Sequence, residues 1–572
     1  MSFAVPSKYE STSRGARSRR LRPREWLAAP GLIVAVALFI VAFDNHNLWA
    51  AVARATALDE HRQAIFISLF SIVFFSLTTL LALALGNRVL KTASVALLLV
   101  AAVCSFFMGE YGIVIDESMI RNIVETEARE AAPLLSWAFA QHVLFFGLAP
   151  AIAVLFMPLE RSTWRHHLLV RLVAAVGGLG IMVGTVYGNF GAVSFFGHQQ
   201  HQLRMLINPG YPLYAAVRFG LAEDEPVAQD RAPLEARLVT RSSATKPAVV
   251  IVVMGETARA DRFSFNGYER DTNRYTRELG VVNFPHVTSC GTSTADSVPC
   301  VFSHLGKERF THAAAAQHES LLGMLSRLGV KTAWRDNSTG CKEVCAPADF
   351  EQLATRTDAD FCDATGCFDE ILLKDLDALL LDKDRDHLIV FHQRGSHGPA
   401  YNTDAPTWIK EFKPECDLPN LRNCDREAIN NAYDNTILYT DYFVSRVITA
   451  LQARSREFDT AVLYVSDHGE SLGENGLYLH GFPYALAPQE QIRIPMLFWA
   501  SPDFYARRAG IEPDCLRTTA NRGTTHDAVF HTLLRLFGVQ SPSYDANLDL
   551  FEECRQRSDV TTNRSAPTRP DA

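Results

Sequence analysis

The second half of this chain has no apolar run long enough to cross a bilayer, and the first 245 residues hold one cysteine, Cys104. Basic charge is scarce too: 55 Lys and Arg against 63 Asp and Glu leave a net charge of −8, with no basic stripe in the second half. That balance speaks against a general nucleic-acid binder. There is no internal repeat of fixed period, which excludes a solenoid or propeller. The first apolar run lacks a small-residue cleavage pattern and is followed by others, so it does not read as a cleaved signal peptide. At 572 residues the chain is too long for one ordinary domain. Its near-zero mean hydropathy averages an apolar first 220 residues with a globular remainder.

Five segments, 26–43, 64–86, 90–108, 133–157 and 167–188, are long enough to span a bilayer at about 20 residues each. Arg14, Arg17, Arg19, Arg20, Arg22 and Arg24 precede the first. Arg88 and Lys91 mark the loop between the second and third spans, and Arg161, Arg165 and Arg171 the loop between the fourth and fifth. The 109–132 loop is acidic. Positive charge stays in the cytoplasm, so five spans carry the C-terminal half to the far side. Buried core helices are the competing reading; the number of segments and the alternating loop charge argue against it.

The other ten cysteines all follow residue 245, an even number in an oxidising compartment. Sequence proximity pairs Cys290 with Cys300, Cys341 with Cys345, Cys362 with Cys367 and Cys416 with Cys424, leaving Cys515 with Cys554. The four-residue separation of Cys341 and Cys345 suits one helical turn. A zinc cluster is the alternative for the close pairs, but their spacings differ.

These features divide the chain into a basic cytoplasmic tail (1–25), a five-helix membrane domain (26–190), an interfacial amphipathic segment and linker (191–246), a catalytic α/β domain (247–555) and a disordered tail (556–572). From Ala248 onward, strand-like runs alternate with helical stretches, which predicts a sheet sandwiched by helices. The run Thr460 to Val465 reads as a buried strand ending in Ser466-Asp467-His468-Gly469-Glu470, and Val249 to Met254 as another ending in Gly255-Glu256-Thr257. Carboxyl ends of strands in open α/β sheets are where ligands gather, and carboxylate and imidazole both ligate zinc. Between them lies Cys290-Gly291-Thr292-Ser293-Thr294-Ala295-Asp296-Ser297-Val298-Pro299-Cys300, whose hydroxyl cluster looks like a helix N-terminus. A hydroxyl there meets backbone N–H groups and the positive end of the helix dipole, which favour phosphate and an alkoxide; a plain Ser/Thr cap is the alternative. Three further segments carry phosphate-compatible groups: Trp334–Lys342, His392–Pro399 after the apolar run Leu388 to Phe391, and Gly473–Gly481 with His480.

Gly255-Glu256-Thr257-Ala258-Arg259, the Cys290–Cys300 segment, Ser396-His397-Gly398-Pro399 and Ser466–Ser471 together resemble the lipid A phosphoethanolamine transferases, a family of the alkaline phosphatase and sulfatase-like superfamily. The resemblance runs from the five spans to about residue 550. It implies zinc, one ion or two, with one held by Glu256, Thr294, Asp467 and His468, and Thr294 as nucleophile. It also implies Asn337, Ser338, Thr339, Lys342, His397, His480 and Glu470 as substrate-binding positions, with Lys342, His397 and His480 also catalytic. Asp296 departs from the family pattern, where an apolar or aromatic residue is more usual. The activity implied is transfer of phosphoethanolamine from phosphatidylethanolamine to a lipid A phosphate by a monomer in the bacterial inner membrane, its catalytic domain periplasmic. The product carries an added ammonium, so the cell surface should bind polymyxin and other cationic peptides less well. Alternatives are a relative acting on another glycan or core sugar, a related phosphodiesterase or hydrolase, a sulfatase, and a dead sensor. A sulfatase would need a Cys/Ser-x-Pro-x-Arg context at the nucleophile, which the Cys290–Cys300 segment lacks. A dead sensor is disfavoured because every proposed ligand is present.

Overall fold

The computed structural model describes residues 29–555 except 85, 127–130, 160–163, 224–230, 240–245 and 419. The basic tail 1–25, the tail 556–572 and part of the 191–246 segment therefore lie outside the described residues. Among the described residues, four helices are long and apolar enough to cross a membrane: Arg62–Ala82, Asn87–Glu110, Trp137–Phe156 and Leu168–Gly188. A fifth candidate, Ala29–Asp44, continues into His46–Ala55 through a 58° bend. Large apolar side chains on these helices face outward: Phe156 is 83% exposed, Val173 63% and Val176 62%. A water-soluble surface does not carry such a band, so the helices are membrane helices.

The chain divides into two compact units. The first comprises Met1–His46, Ala53–Ala101 and Leu144–Gln199; the second comprises Asn47–Val52, Ala102–Val143 and Gln200–Ala572. The acidic segment after the third apolar run thus belongs to the same unit as the α/β fold. It forms a short helix, α1 (Glu117–Glu125), capped by Asp116, whose side chain accepts from the Met119 N–H at 2.9 Å.

The second unit is built on an eight-stranded sheet. In chain order its strands are β1 (Ala248–Gly255), β2 (Val282–Thr288), β3 (Lys331–Asp336), β4 (Asp349–Gln352), β5 (His387–His392), β6 (Asp459–Ser466), β7 (Arg493–Ala500) and β8 (Thr524–Thr525), in spatial order β8-β2-β7-β6-β1-β5-β3-β4. Only β7 runs against the others. The central strands are continuous apolar runs because both faces are covered. Along β1, Val250, Val252 and Met254 enter one core, and Val249, Ile251 and Val253 the other. Helix α2 (Thr294–Val301) and α4 (Asp527–Leu536) pack on the first face, and the long α3 (Arg426–Gln452) on the second.

All five cysteine pairs close as the sequence suggests, and Cys104, outside these five bridges, is buried. The Cys341–Cys345 bridge does not span a helical turn. Lys342 and Glu343 between them have φ of 48° and 64°, two consecutive left-handed residues in a tight loop.

Candidate metal centre and nucleophile

Strands β1 and β6 are parallel neighbours in register, Gly255 opposite Ser466. Their carboxyl ends therefore deliver Glu256 and Asp467-His468 to one place. Backbone bonds between the ends fix the arrangement: Asp467 N–H donates to Gly255 O at 2.9 Å, and Thr257 N–H to Asp467 Oδ1 at 3.1 Å. Thr257 holds φ at 55°, strained for a β-branched residue. Tyr433 on α3 supports that strain by donating to Thr257 O at 2.6 Å. Arg259 then reaches across to Glu470 O at 3.2 Å, joining the two strand-end motifs.

Thr294 opens α2, and its Oγ lies 3.1 and 3.0 Å from the two Glu256 carboxylate oxygens and 3.4 Å from His468 Nε2. His468 Nε2 is 3.4 Å from both Glu256 Oε1 and Asp467 Oδ2. Ligand atoms of Glu256, Asp467 and His468 lie within 4.8 Å of one another. All four residues are buried. Asp467 Oδ2 has no hydrogen-bond partner, and His468 Nδ1 is held by Gly469 O at 2.9 Å, so its Nε2 faces the cluster. Two carboxylates, an imidazole nitrogen and a hydroxyl around one point fit a divalent cation that takes oxygen and nitrogen ligands and would displace the Nε2 proton. Burial opposes charge on Glu256, but His468 outweighs it and holds the carboxylate ionised. Burial and the Glu256 charge push Asp467 up to about 6. Burial disfavours the His468 cation, but Asp467 and Glu256 win and push it up to about 10.

Beside this cluster, the His468 and His480 rings are 4.5 Å apart and the His480 and His397 rings 5.0 Å. Buried Glu470 pairs with His480 Nδ1 at 2.8 Å and accepts from Tyr401 OH at 2.6 Å. Burial depresses the His480 pKa, against the pull of Glu470. Seven of the residues expected from sequence therefore converge: Glu256, Thr294, Asp467, His468, Glu470, His480 and His397. The loop after β3 divides. The Asn337 amide donates to Cys367 O and Asp369, bracing the loop instead of facing the cluster. Ser338 is buried where its N–H donates to Asp336 at 2.9 Å. Thr339 and Lys342 line a cavity of about 600 Å³ beside Ala295, and Lys342 pairs with Glu125 at 3.2 Å.

Three buried residues without an assigned role from sequence support the centre. His392, the last residue of β5, is held at Nδ1 by Asp336, the last residue of β3, at 2.8 Å. Its unpartnered Nε2 faces Glu256 at 3.9 Å. Burial opposes a charge on His392, but Asp336 and Glu256 raise its pKa overall. The same strand-end logic that singled out Glu256 and Asp467 points to both residues. His526 carried no such signal. Its Nδ1 accepts from Cys290 N at 3.0 Å, and its Nε2–H donates to Ser466 O at 2.8 Å, so it links the Cys290–Cys300 loop to β6. Burial lowers its pKa to about 4 and keeps it neutral. Gly395 has φ of 61°, and a Cβ there would meet Glu256 O at 2.6 Å, so only glycine lets this loop close on the end of β1.

The family described as Sulfatase matches residues 248–539, and that described as Phosphoethanolamine transferase EptA/EptB matches residues 73–223. Phosphatidylethanolamine transferase Mcr-1 of Escherichia coli is 36% identical over 522 residues, 89% of this chain and 94% of that protein. This chain belongs to the phosphoethanolamine transferase family. Phosphoethanolamine transferase EptA of Escherichia coli K12 is 33% identical over 95% of this chain and all of that one. The solved integral membrane lipooligosaccharide phosphoethanolamine transferase A of Neisseria meningitidis superposes with a TM-score of 0.88 at 31% identity, covering 92% of this chain and 99% of that one. The protein is thus a transferase on a sulfatase-like fold. A Ser-x-Pro-x-Arg pattern does occur at Ser565-Ala566-Pro567-Thr568-Arg569, in the C-terminal tail outside the described residues and away from the Thr294 segment.

Proposed function

We propose that this protein sits in the bacterial inner membrane with its N-terminus cytoplasmic. Its periplasmic domain, 247–555, moves phosphoethanolamine from phosphatidylethanolamine to a lipid A phosphate through a covalent ester on Thr294. The observation that carries this reading is the Thr294 hydroxyl at 3.0 to 3.4 Å from Glu256 and His468 in a buried donor set.

Glu256, Thr294, Asp467 and His468 would hold zinc, which supplies Lewis-acid charge that lowers the pKa of a bound hydroxyl and neutralises a phosphoryl group. The chain does the rest. Glu256 accepts from the Thr294 hydroxyl and aims its oxygen. That oxygen, its proton released to solvent, attacks the phosphorus of phosphatidylethanolamine, and the bond from phosphorus to the glycerol oxygen breaks. Diacylglycerol takes a proton from His480 or His397 as it leaves; Glu470 orients His480. A phosphate oxygen of the acceptor then attacks the same phosphorus, the Thr294 ester bond breaks, and the threonine oxygen is reprotonated. Buried Glu470, with Tyr401 and the histidine pair, makes a site where an ethanolamine ammonium finds a carboxylate in a partly desolvated setting.

Lipid A extracted from cells with and without the gene should differ by phosphoethanolamine, with polymyxin tolerance following it. Phosphoethanolamine appearing on another glycan would reassign the acceptor while leaving the donor chemistry intact. The purified enzyme is expected to run as a monomer in size-exclusion chromatography with light scattering.

A further inference from the structure

Asp296 stands two residues past Thr294 in the first turn of α2. Its Oδ2 accepts from the Ser118 hydroxyl and from Ser293 Oγ at 3.2 Å, and its Oδ1 pairs with His312 Nε2 at 2.9 Å. Ser118 belongs to α1, and the same nine-residue helix touches two other loops of the site. Met119 lies so close to Gly481 that a Cβ there would stand 2.6 Å from its terminal methyl. Glu125 holds Lys342 at 3.2 Å. Gly481 follows His480, and its N–H donates to Thr292 O at 2.7 Å, two residues before the nucleophile. Asn122 Nδ2 is 3.9 Å from the same Cβ position at Gly481; residues 118, 122 and 125 fall on one face of a helix, so a single face of α1 spans the nucleophile helix, the His480 loop and the Lys342 loop.

A nine-residue helix has little stability of its own, so tertiary ties set where α1 sits: Arg218 to Glu117 at 3.6 Å and Arg121 over the Phe219 ring at 4.9 Å hold one side, and these side-chain ties hold the side toward the nucleophile helix. Beside it is the cavity of about 600 Å³, whose wall includes Arg121, Glu125, Ala295, Pro299, His312 and Lys342. His312 and Lys342, the partners of Asp296 and Glu125, are both in that wall.

We infer that Asp296 is a positioning residue: through Ser118 and His312 it fixes α1 against the nucleophile helix and sets the width of the cavity that the phospholipid donor's head region enters beside Thr294. The inference rests on the transferase reading above.

The test uses the full-length protein in mixed micelles with two donors, phosphatidylethanolamine and a water-soluble nitrophenyl ester of phosphoethanolamine that has no acyl chains. Loss of one charge-assisted hydrogen bond should raise KM for the lipid by about fivefold or more in Ser118→Ala, with kcat for the small ester close to wild type. Ser118→Thr keeps the hydroxyl and should behave as wild type, which separates loss of the link from misfolding. Ser118→Ala combined with Asp296→Ala should be no worse than Asp296→Ala alone, because Asp296→Ala already removes the acceptor that Ser118 uses. An unchanged lipid KM in Ser118→Ala overturns the inference. So does a parallel fall in small-ester kcat, which would mean that the link holds the nucleophile and not the lipid cavity. Wild-type enzyme that turns over the small ester but never phosphatidylethanolamine overturns the donor assignment itself.

Discussion

Changing Glu256 to Gln keeps the side chain's shape and removes one charge from the centre. Glu256 is 1% exposed, both its carboxylate oxygens lie within 3.1 Å of Thr294 Oγ, and its ligand atom is within 4.8 Å of those of Asp467 and His468. At an effective dielectric of about 20, two unit charges about 4 Å apart interact with about 4 kcal/mol. A dication held by these residues doubles that attraction, and the easier desolvation of a neutral amide returns part of it. A net loss of about 4 kcal/mol is a conservative figure and corresponds to about a thousandfold in affinity. The amide also brings two N–H donors toward a hydroxyl and an imidazole that had an acceptor, so one contact turns unfavourable. The assay is competition for zinc between the purified full-length protein and a chromophoric chelator, read beside thermal unfolding with and without zinc. The expected outcome is that zinc raises the melting temperature of the wild type and leaves Glu256→Gln unmoved at the same concentration. Zinc binding by Glu256→Gln at wild-type affinity would refute the assignment of this cluster as the metal centre.

Other outcomes follow from the same geometry. His392→Gln loses the imidazole that Asp336 orients toward Glu256; outer-shell partners of this kind typically matter by about 10–100-fold, so zinc affinity should fall by that factor while Thr294 stays in place. Burial, with help from Asp296, pushes the Asp116 carboxyl up to about 6 from 3.8. A folded-state pKa above the unfolded one gives a contribution that is favourable below about pH 4 and lost as pH rises through 6. Asn caps a helix as well as Asp, so Asp116→Asn should be more stable than wild type at pH 7.5, by at most ~3 kcal/mol, and equal to it below about pH 3. Thermal unfolding of both proteins across that range checks the sign.

The parts of the centre written in sequence were those at the ends of apolar strands. Glu256 and Asp467-His468 sit just past runs that can only be buried, and parallel neighbours in register have their ends side by side. The same rule reaches Asp336 and His392, which also close strands. Neither drew a role because His397, in the more recognisable Ser-His-Gly-Pro, stood nearby. His526 and Tyr433 were not legible, since each acts through backbone groups of distant segments and leaves no local pattern. Helix α1 was hidden for another reason. Its segment reads as an acidic loop between spans, and nine residues carry too little periodicity to announce a helix. What places it is long-range, Ser118 to Asp296 and Glu125 to Lys342. Spacing alone also misplaced the Cys341–Cys345 bridge on a helix, where two left-handed residues make a tighter turn. The first apolar segment was visible from its composition, but not its bend at residue 45, which no proline or glycine marks.

The most direct measurement is the mass of the peptide that contains Thr294 after the purified enzyme is mixed with phosphatidylethanolamine and quenched before any acceptor is added. The account predicts that this peptide gains one phosphoethanolamine group, that fragmentation puts it on Thr294, and that Thr294→Ala gains nothing. An unmodified Thr294 in enzyme that is visibly releasing diacylglycerol would contradict it.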